Sequence, residues 1–212
     1  MKNDYRTIKQ AGRAEYVEKK SRFIASVRPV ETEEEALAFI QEIRKMYPDA
    51  KHHVYAYMIR DNNIARFSDD GEPGGTAGMP MMEVIKQEEL TNIVLVVTRY
   101  FGGILLGTGG LVRAYSKSAK LGIDAGTIAL MTDCTLLQID VTYELYGRLQ
   151  YLLEQEGLTI EKSNFGQAVS VMLYVRTTQV DALQKKIIET TGGRGQCQIL
   201  GNEYRPLVAK AN

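Results

Sequence analysis

The sequence predicts an α+β fold divided into two domains, and three observations support that prediction. Some segments have apolar residues at helical spacing, and others alternate apolar and polar residues as strands do. The two kinds of segment are mixed along the chain. The pattern changes near residue 130, from a glycine-rich stretch to a compact second block. The length of 212 residues suits one or two domains of roughly 100–200 residues each. We therefore predict domains over residues 1–132 and 133–212.

The first domain shows mixed strand and helix patterns. An extended run over residues 14–28 predicts one long strand or a bent hairpin. Apolar residues recur at helical spacing after Thr32, which predicts a helix that Pro48 ends. The other predicted elements are strands over 54–59, 64–68 and 93–98, a helix over 80–89 and a long helix from 109 to about 125.

The second domain has a simpler rhythm. Leu137, Ile139 and Val141 alternate with polar residues, which predicts a half-buried strand, and the helix that follows ends at Gly157. Extended runs over 158–164 and 168–175, a helix from 180 to the glycines at 192–193 and a strand over 197–204 complete the domain. The order βαββαβ is that of the ferredoxin-like, split-βαβ arrangement.

Composition limits the function classes. Basic and acidic residues number 26 each, so the formal net charge is zero and nucleic acid would have to bind to a local basic patch. No apolar run approaches the roughly 18 residues of a membrane span, and the N-terminus has no apolar signal segment. We expect a cytoplasmic protein without a membrane partner. Its two cysteines, Cys134 and Cys197, should be free thiols about 20 Å apart, at opposite ends of neighbouring antiparallel strands.

The first glycine-rich segment spans residues 67–78 and concentrates acids and glycines. A functional interpretation is a rigid loop that directs carboxylates toward Mg²⁺, a base or a partner. A structural interpretation is a turn whose Asp and Gly residues satisfy turn geometry. Both interpretations concern the same candidate residues: Asp69, Asp70, Gly71, Glu72, Gly75 and Thr76.

The second glycine-rich segment, residues 99–116, connects a predicted buried strand to the long helix. Glycines before a helix N-terminus leave backbone N–H groups free for an anion, and the helix dipole favours negative charge there. The alternative is that the glycines let the helix pack tightly on the sheet. No Lys-Ser/Thr pair follows, so the segment is not a Walker A loop. The glycines concerned are Gly102, Gly103, Gly107, Gly109 and Gly110.

Basic residues follow this segment along one stripe of the long helix. Arg113, Lys117 and Lys120 are spaced i, i+4, i+7, and Arg99 precedes the loop. Such a stripe can contact phosphates, and it can equally be an ordinary solvated helix face.

The only two histidines are adjacent and favour no metal site. His52 and His53 lie on a predicted strand, where neighbours point to opposite faces and cannot share one ion. No catalytic nucleophile–base set can be identified either. We therefore predict no metal and no cofactor.

Residues 67–78 (FSDDGEPGGTAG) and 99–116 (RYFGGILLGTGGLVRAYS) together resemble the IMPACT/YigZ family in its two-domain bacterial form. Residues 20–24 (KSRFI) and 52–57 (HHVYAY) match the earlier strands of that family. The resemblance covers essentially the whole chain. One departure is Met79, at a position where many members carry Lys or Arg.

The resemblance implies a specific fold for each domain and a function related to translation. The N-terminal domain would be like domain 2 of ribosomal protein S5, with a left-handed crossover, and the ferredoxin-like domain would resemble domain V of elongation factor G. Eukaryotic relatives regulate translation by blocking a co-activator of the kinase that senses amino-acid starvation. The resemblance does not fix the bacterial role.

Two hypotheses follow for the function. The first is a non-enzymatic, cytoplasmic, translation-related regulator that binds nucleic acid or the translation machinery through its N-terminal domain. Its possible partners are RNA, the ribosome and translation factors. The alternative is a small-molecule kinase-like or nucleotide-binding protein, with phosphates on the 107–110 loop and Mg²⁺ on Asp69, Asp70 or Glu72. Both glycine-rich segments flank predicted buried strands of the first domain, so we expect them to meet in space and form one concave surface. The sequence predicts no oligomeric state.

Overall fold

The computed structural model describes residues 4–206, which divide into two compact units. Residues 5–130 form the first unit, and Asp4 with residues 131–206 forms the second. Residues 1–3 and 207–212, which belong to the two predicted domains, lie outside the described residues. The boundary at residue 132 stays a prediction. Among the described helices, none is long and apolar enough to cross a membrane.

The first unit is a five-stranded antiparallel sheet with helices on both faces. Its strand order is β2-β3-β6-β4-β5. The elements of the unit are β1 (Tyr5–Ile8), which is not a strand of this sheet, β2 (Gly12–Glu18), β3 (Ser21–Pro29), α1 (Glu33–Met46), β4 (His52–Ile59), β5 (Ile64–Ser68), α2 (Gly78–Gln87), β6 (Ile93–Tyr100) and α3 (Thr108–Gly126). The predicted run over 14–28 is thus the hairpin β2–β3.

Strand β6 separates two hydrophobic cores. Leu95 and Val97 pack toward α2 and α3, together with Tyr115. Val94 and Val96 face the opposite core, which α1 covers. Because side chains alternate along a strand, the apolar run over residues 93–97 of β6 supplies both cores, and this fixes the helices on either side of the sheet.

Helix α1 begins where its sequence predicts. Thr32 is the N-cap, and its hydroxyl accepts a hydrogen bond from the Glu35 backbone N–H at 3.2 Å. The Glu35 carboxylate in turn accepts the Glu31 N–H at 2.8 Å. These contacts satisfy backbone donors that the first turn of a helix leaves unpaired.

The second unit confirms the order βαββαβ. Its sheet has the antiparallel order β10-β7-β9-β8. Leu137 and Ile139 pack with Leu149 and Ile187 in a separate core beneath two helices. The elements are β7 (Ile128–Val141), whose first three residues belong to the first unit, α4 (Tyr143–Gln155), β8 (Ile160–Phe165), β9 (Val169–Arg176), α5 (Val180–Thr191) and β10 (Gln196–Pro206).

The cysteines lie on neighbouring strands of this sheet. Cys134 on β7 is opposite Glu203, whereas Cys197 on β10 is opposite Ile139. The five-residue offset along β7 separates the cysteines by about 17 Å at 3.4 Å per residue. Both thiols are free, as predicted. Burial raises the pKa of each thiol, which keeps both protonated at neutral pH.

Candidate functional site

Asp69 shapes the first glycine-rich segment from within. Its carboxylate accepts hydrogen bonds from three backbone N–H groups, those of Gly75 at 2.8 Å, Ala77 at 3.0 Å and Gly78 at 2.8 Å. Two of these residues lead into α2, so Asp69 satisfies donors at the start of that helix. Thr76 is buried, and its hydroxyl donates to the Pro73 carbonyl at 2.6 Å.

Asp70 connects the same loop to two other elements. Its carboxylate accepts the His53 backbone N–H and the Arg44 guanidinium, each at 2.6 Å. Asp70 has a φ of +44° and Gly71 a φ of +86°, so the chain turns sharply here through left-handed backbone. The turn directs the Asp70 carboxylate toward β4 and α1.

Glu72 joins the two glycine-rich segments. Its carboxylate lies 2.6 Å and 2.9 Å from Nη1 of Arg99 and accepts the Tyr115 hydroxyl at 2.7 Å. The Glu72 and Arg99 side chains are only 3% and 8% exposed. Burial, with Glu72 beside the hydroxyl, strongly raises the pKa of Tyr115, which stays a hydrogen-bond donor. The prediction that the two segments meet is confirmed.

The three acids of the first segment thus bind donors of the protein itself. Asp69 binds three backbone N–H groups, Asp70 binds Arg44 and His53, and Glu72 binds Arg99 and Tyr115. These contacts support the structural interpretation of this loop. Within residues 4–206, no cluster of three His, Cys, Asp or Glu residues has the geometry to hold a metal ion.

The second glycine-rich segment leads from β6 into α3. Gly107 is the N-cap of α3, with a φ of +71° and no side chain to cover the first turn. Gly102 lies against the turn between β2 and β3: its N–H donates to the Ser21 hydroxyl at 3.1 Å. The segment therefore combines an uncapped helix start with a close contact between two loops.

The turn between β2 and β3, which we call the lysine turn, consists of two lysines in left-handed conformation. Lys19 has a φ of +44° and Lys20 a φ of +66°. Two consecutive positive φ angles define a type I′ hairpin turn, which usually contains Asn-Gly. Each L residue in this conformation costs roughly 1–2 kcal/mol. Backbone strain of this kind often marks functional sites.

A cleft of about 210 Å³ lies between this turn and α3. Lys19, Arg113 and Lys117 bring three positive charges to it, and Lys117 Nζ lies 4.6 Å from the ring centroid of Tyr16. Among the described residues that line the cleft, the one acid is Glu18, whose carboxylate accepts the Tyr16 hydroxyl. We call this feature the basic cleft: Tyr16, Glu18, Lys19, Leu106, Gly110, Arg113, Ala114 and Lys117.

The structure divides the predicted basic stripe. Arg113 and Lys117 lie together at the basic cleft. Lys120 instead pairs with Glu88 at 3.1 Å and with Asp124 on its own helix. Arg99 is buried with Glu72, so its charge is already neutralised. Sequence analysis missed Lys19, because Lys-Lys is not a pair that predicts a tight turn.

A second groove, of about 300 Å³, runs between α2 and α3. Its lining includes Gly75 from the first segment, Met79 from the first turn of α2, and Val112 and Ser116 from α3. Both glycine-rich segments therefore border one concave feature. Met79 presents an apolar side chain there.

Strand β4 carries the two histidines to separate partners. The His52 ring contacts the Asp70 carbonyl at 2.9 Å, and the His53 ring contacts the Thr98 hydroxyl at 3.2 Å. Burial first, then the nearby Arg44, lowers the pKa of His53 below its usual 6.5. The native state therefore favours the neutral imidazole.

This environment predicts a pH dependence of stability. Below about pH 6.5 the unfolded chain binds a proton that native His53 resists, so the free energy of unfolding should fall between pH 7 and pH 5. One such group contributes at most about 1.4 kcal/mol per pH unit. We expect His53→Gln to reduce the slope of the unfolding free energy against pH, as measured by urea titrations at several pH values. His52→Gln controls for loss of an imidazole from the same strand, and equal slopes for His53→Gln and the unmodified protein would contradict the prediction.

Comparison with protein-family models gives two matches. Residues 19–123 match the Impact N-terminal domain. Residues 139–194 match a domain of unknown function, DUF1949. The first match lies within the first structural unit and contains both glycine-rich segments. The second lies within the βαββαβ unit.

Individual proteins show the same similarity. The chain is 38% identical over 195 residues to the IMPACT family member YvyE of Bacillus subtilis, which covers 92% of this chain and 90% of that protein. An IMPACT family member of Haemophilus influenzae is 36% identical over 185 residues, 86% of this chain and 90% of its own length. Protein IMPACT of Oryctolagus cuniculus is 31% identical over 94 residues, 42% of this chain and 30% of that protein. A solved structure described as a hypothetical protein has a TM-score of 0.60 and 31% identity, covering 95% of this chain and 99% of that one.

Proposed function

Because this chain belongs to the IMPACT family, we propose that it is a non-enzymatic, translation-related regulator whose first unit binds RNA at the basic cleft. The partners expected from the sequence are RNA, the ribosome and translation factors, and RNA is the chemical component that the first two of them share. The basic cleft would bind phosphates, and the uncapped start of α3 would add backbone N–H donors.

One observation supports this proposal above the others. Across the described residues, Lys19, Arg113 and Lys117 make no ion pair with a carboxylate. Elsewhere in the same unit Arg99 and Lys120 do make such pairs. A protein with zero net charge thus gathers three unneutralised cations at one cleft.

Unpaired cations suit a polyanion better than a neutral ligand. Phosphates that bind them release condensed counterions into solution, and this release drives association more strongly at low salt. The glycines at the start of α3 permit close approach, because Gly107 and Gly109 have no side chain to block a phosphate. The cleft can therefore bind an RNA backbone without any excess of positive charge on the whole molecule.

Removing two of the cations tests the proposal. We expect Arg113→Ala/Lys117→Ala to weaken binding of a single-stranded RNA oligomer at 0.1 M salt. The plot of log affinity against log salt should become shallower by about 1.4, at about 0.7 per lost phosphate contact. The melting temperature should hardly change, because exposed charges contribute about half a kcal/mol at most. Fluorescence anisotropy at several salt concentrations measures both the affinity and the salt slope.

Lys120→Ala is the matched control on the same helix. Its charge is paired with Glu88 and Asp124, so affinity and salt slope should stay near those of the unmodified protein. An unchanged slope in the double variant would contradict the proposal. A melting temperature that rises with Mg²⁺–ATP but not with RNA would favour the nucleotide-binding alternative instead.

A further inference from the structure

The loop between β6 and α3 exposes large apolar side chains. Phe101 is 54% exposed, Ile104 is 43% exposed and Leu105 is 83% exposed. Single exposed apolar residues are common on protein surfaces, but three within five positions form a local patch. The same loop contains Leu106, which lines the basic cleft.

One face of the Phe101 ring contacts the guanidinium of Arg99. The Arg99 guanidinium carbon lies 5.7 Å from the Phe101 ring centroid, and 5.4 Å from that of Phe23. Glu72 fixes this guanidinium through a buried ion pair. The Phe101 ring therefore rests against a rigid group on one side and remains more than half exposed to solvent.

Strand register places Phe101 beside the lysine turn. Arg99 pairs with Phe23 and Tyr100 with Arg22 across β6 and β3. The next residues, Phe101 and Gly102, continue past the end of that pairing, and the Gly102 N–H donates to the Ser21 hydroxyl. An exposed aromatic ring, the lysine turn and the basic cleft thus border one stretch of surface.

We propose that Phe101 stacks on an unpaired nucleobase and that the ligand of the basic cleft is single-stranded RNA. This inference rests on the function proposed above. Single strands offer a base face and a phosphate chain at the same time, whereas bases in a duplex stack on one another. Proteins that bind single strands combine a positively charged groove with aromatic side chains. The charge of the basic cleft favours this occupant over a neutral protein surface.

The test compares Phe101→Leu, Phe101→Trp and the unmodified protein. The affinity of each protein is measured for a 12-nucleotide single-stranded RNA and for the same sequence as a duplex. We expect Phe101→Leu to weaken single-strand binding by about 5- to 140-fold, the range for loss of one stacked base. The salt slope should not change, because stacking releases no counterions. Phe101→Trp should retain affinity, and duplex affinity should be equal in all three proteins.

Each outcome separates the inference from the proposed function. Equal single-strand affinities for Phe101→Leu and the unmodified protein, with a shallower slope for Arg113→Ala/Lys117→Ala, would overturn the stacking alone. Absence of RNA binding by the unmodified protein would overturn both.

Vesicles of phosphatidylserine and phosphatidylcholine test whether the apolar loop beside the lysines binds a membrane surface instead. Binding to them that Leu105→Ser abolishes, with single-strand affinity unaffected by Phe101→Leu, would assign the loop to a membrane surface.

Discussion

Replacing Glu72 with alanine should lower the free energy of unfolding by about 3–5 kcal/mol, the range for breaking a buried ion pair by removing one partner. The change leaves the Arg99 guanidinium without its carboxylate in a site where both side chains are at least nine-tenths buried. It also removes the acceptor of the Tyr115 hydroxyl. Urea unfolding measures the loss as a lower midpoint.

An exposed ion pair provides the matched control. Arg22 and Glu15 lie 2.9 Å apart but are both well exposed, so Glu15→Ala should cost less than about 1 kcal/mol. A loss below about 1 kcal/mol for Glu72→Ala would show that the buried pair contributes little. The conservative Glu72→Gln keeps an acceptor for the Tyr115 hydroxyl, so its loss of unfolding free energy should lie between those of Glu15→Ala and Glu72→Ala.

The same experiment decides the role of Arg99. The sequence predicts Arg99 as an anion-binding residue because it precedes a glycine-rich loop. The structure brings it to Glu72, 27 positions earlier in the chain, and buries both. Residue type reports the charge of a side chain but not its partner, and a partner on a distant segment depends on the folded sheet. For this reason sequence reasoning cannot separate a buried pair from a ligand-binding arginine.

Elements with a strong local pattern were predictable from the sequence. Helix α1 combines apolar spacing with Thr32 as its N-cap, and the structure starts it at Glu33. The second unit follows the predicted order because its apolar residues alternate or recur with a clear period. Local patterns therefore define most of the fold.

Elements without such a pattern were not predictable. Strand β7 begins at Ile128, nine residues before the predicted Leu137, because its early buried positions include Thr132 and Cys134 rather than an apolar series. Strand β1 has only four residues, too few to show a period. Lys19-Lys20 adopts a turn that these residues rarely form, so nothing in the sequence indicated that this turn borders the basic cleft.

Gly102 lies where the lysine turn meets the second glycine-rich segment. A Cβ atom on Gly102 would lie 2.0 Å from the Lys20 carbonyl carbon and 2.3 Å from the Ser21 nitrogen. Both atoms belong to backbone, so no side-chain rotation can relieve the overlap. We expect Gly102→Ala to lower the free energy of unfolding by at least about 3 kcal/mol, the upper end of typical overpacking costs.

Gly103→Ala separates this steric effect from loss of glycine itself. Gly103 has a φ of +82° but open space where a methyl group would lie, so alanine there should cost only the roughly 1–2 kcal/mol of a left-handed L residue. Gly102→Ala must also push the lysine turn away from Phe101, and therefore should weaken RNA binding in conditions where the variant is still folded. Gly103→Ala leaves the turn in place and should bind RNA more tightly than Gly102→Ala. Equal unfolding free energies for the two variants, measured in urea, would show that the turn yields to the extra methyl group and that the close contact does not fix its position.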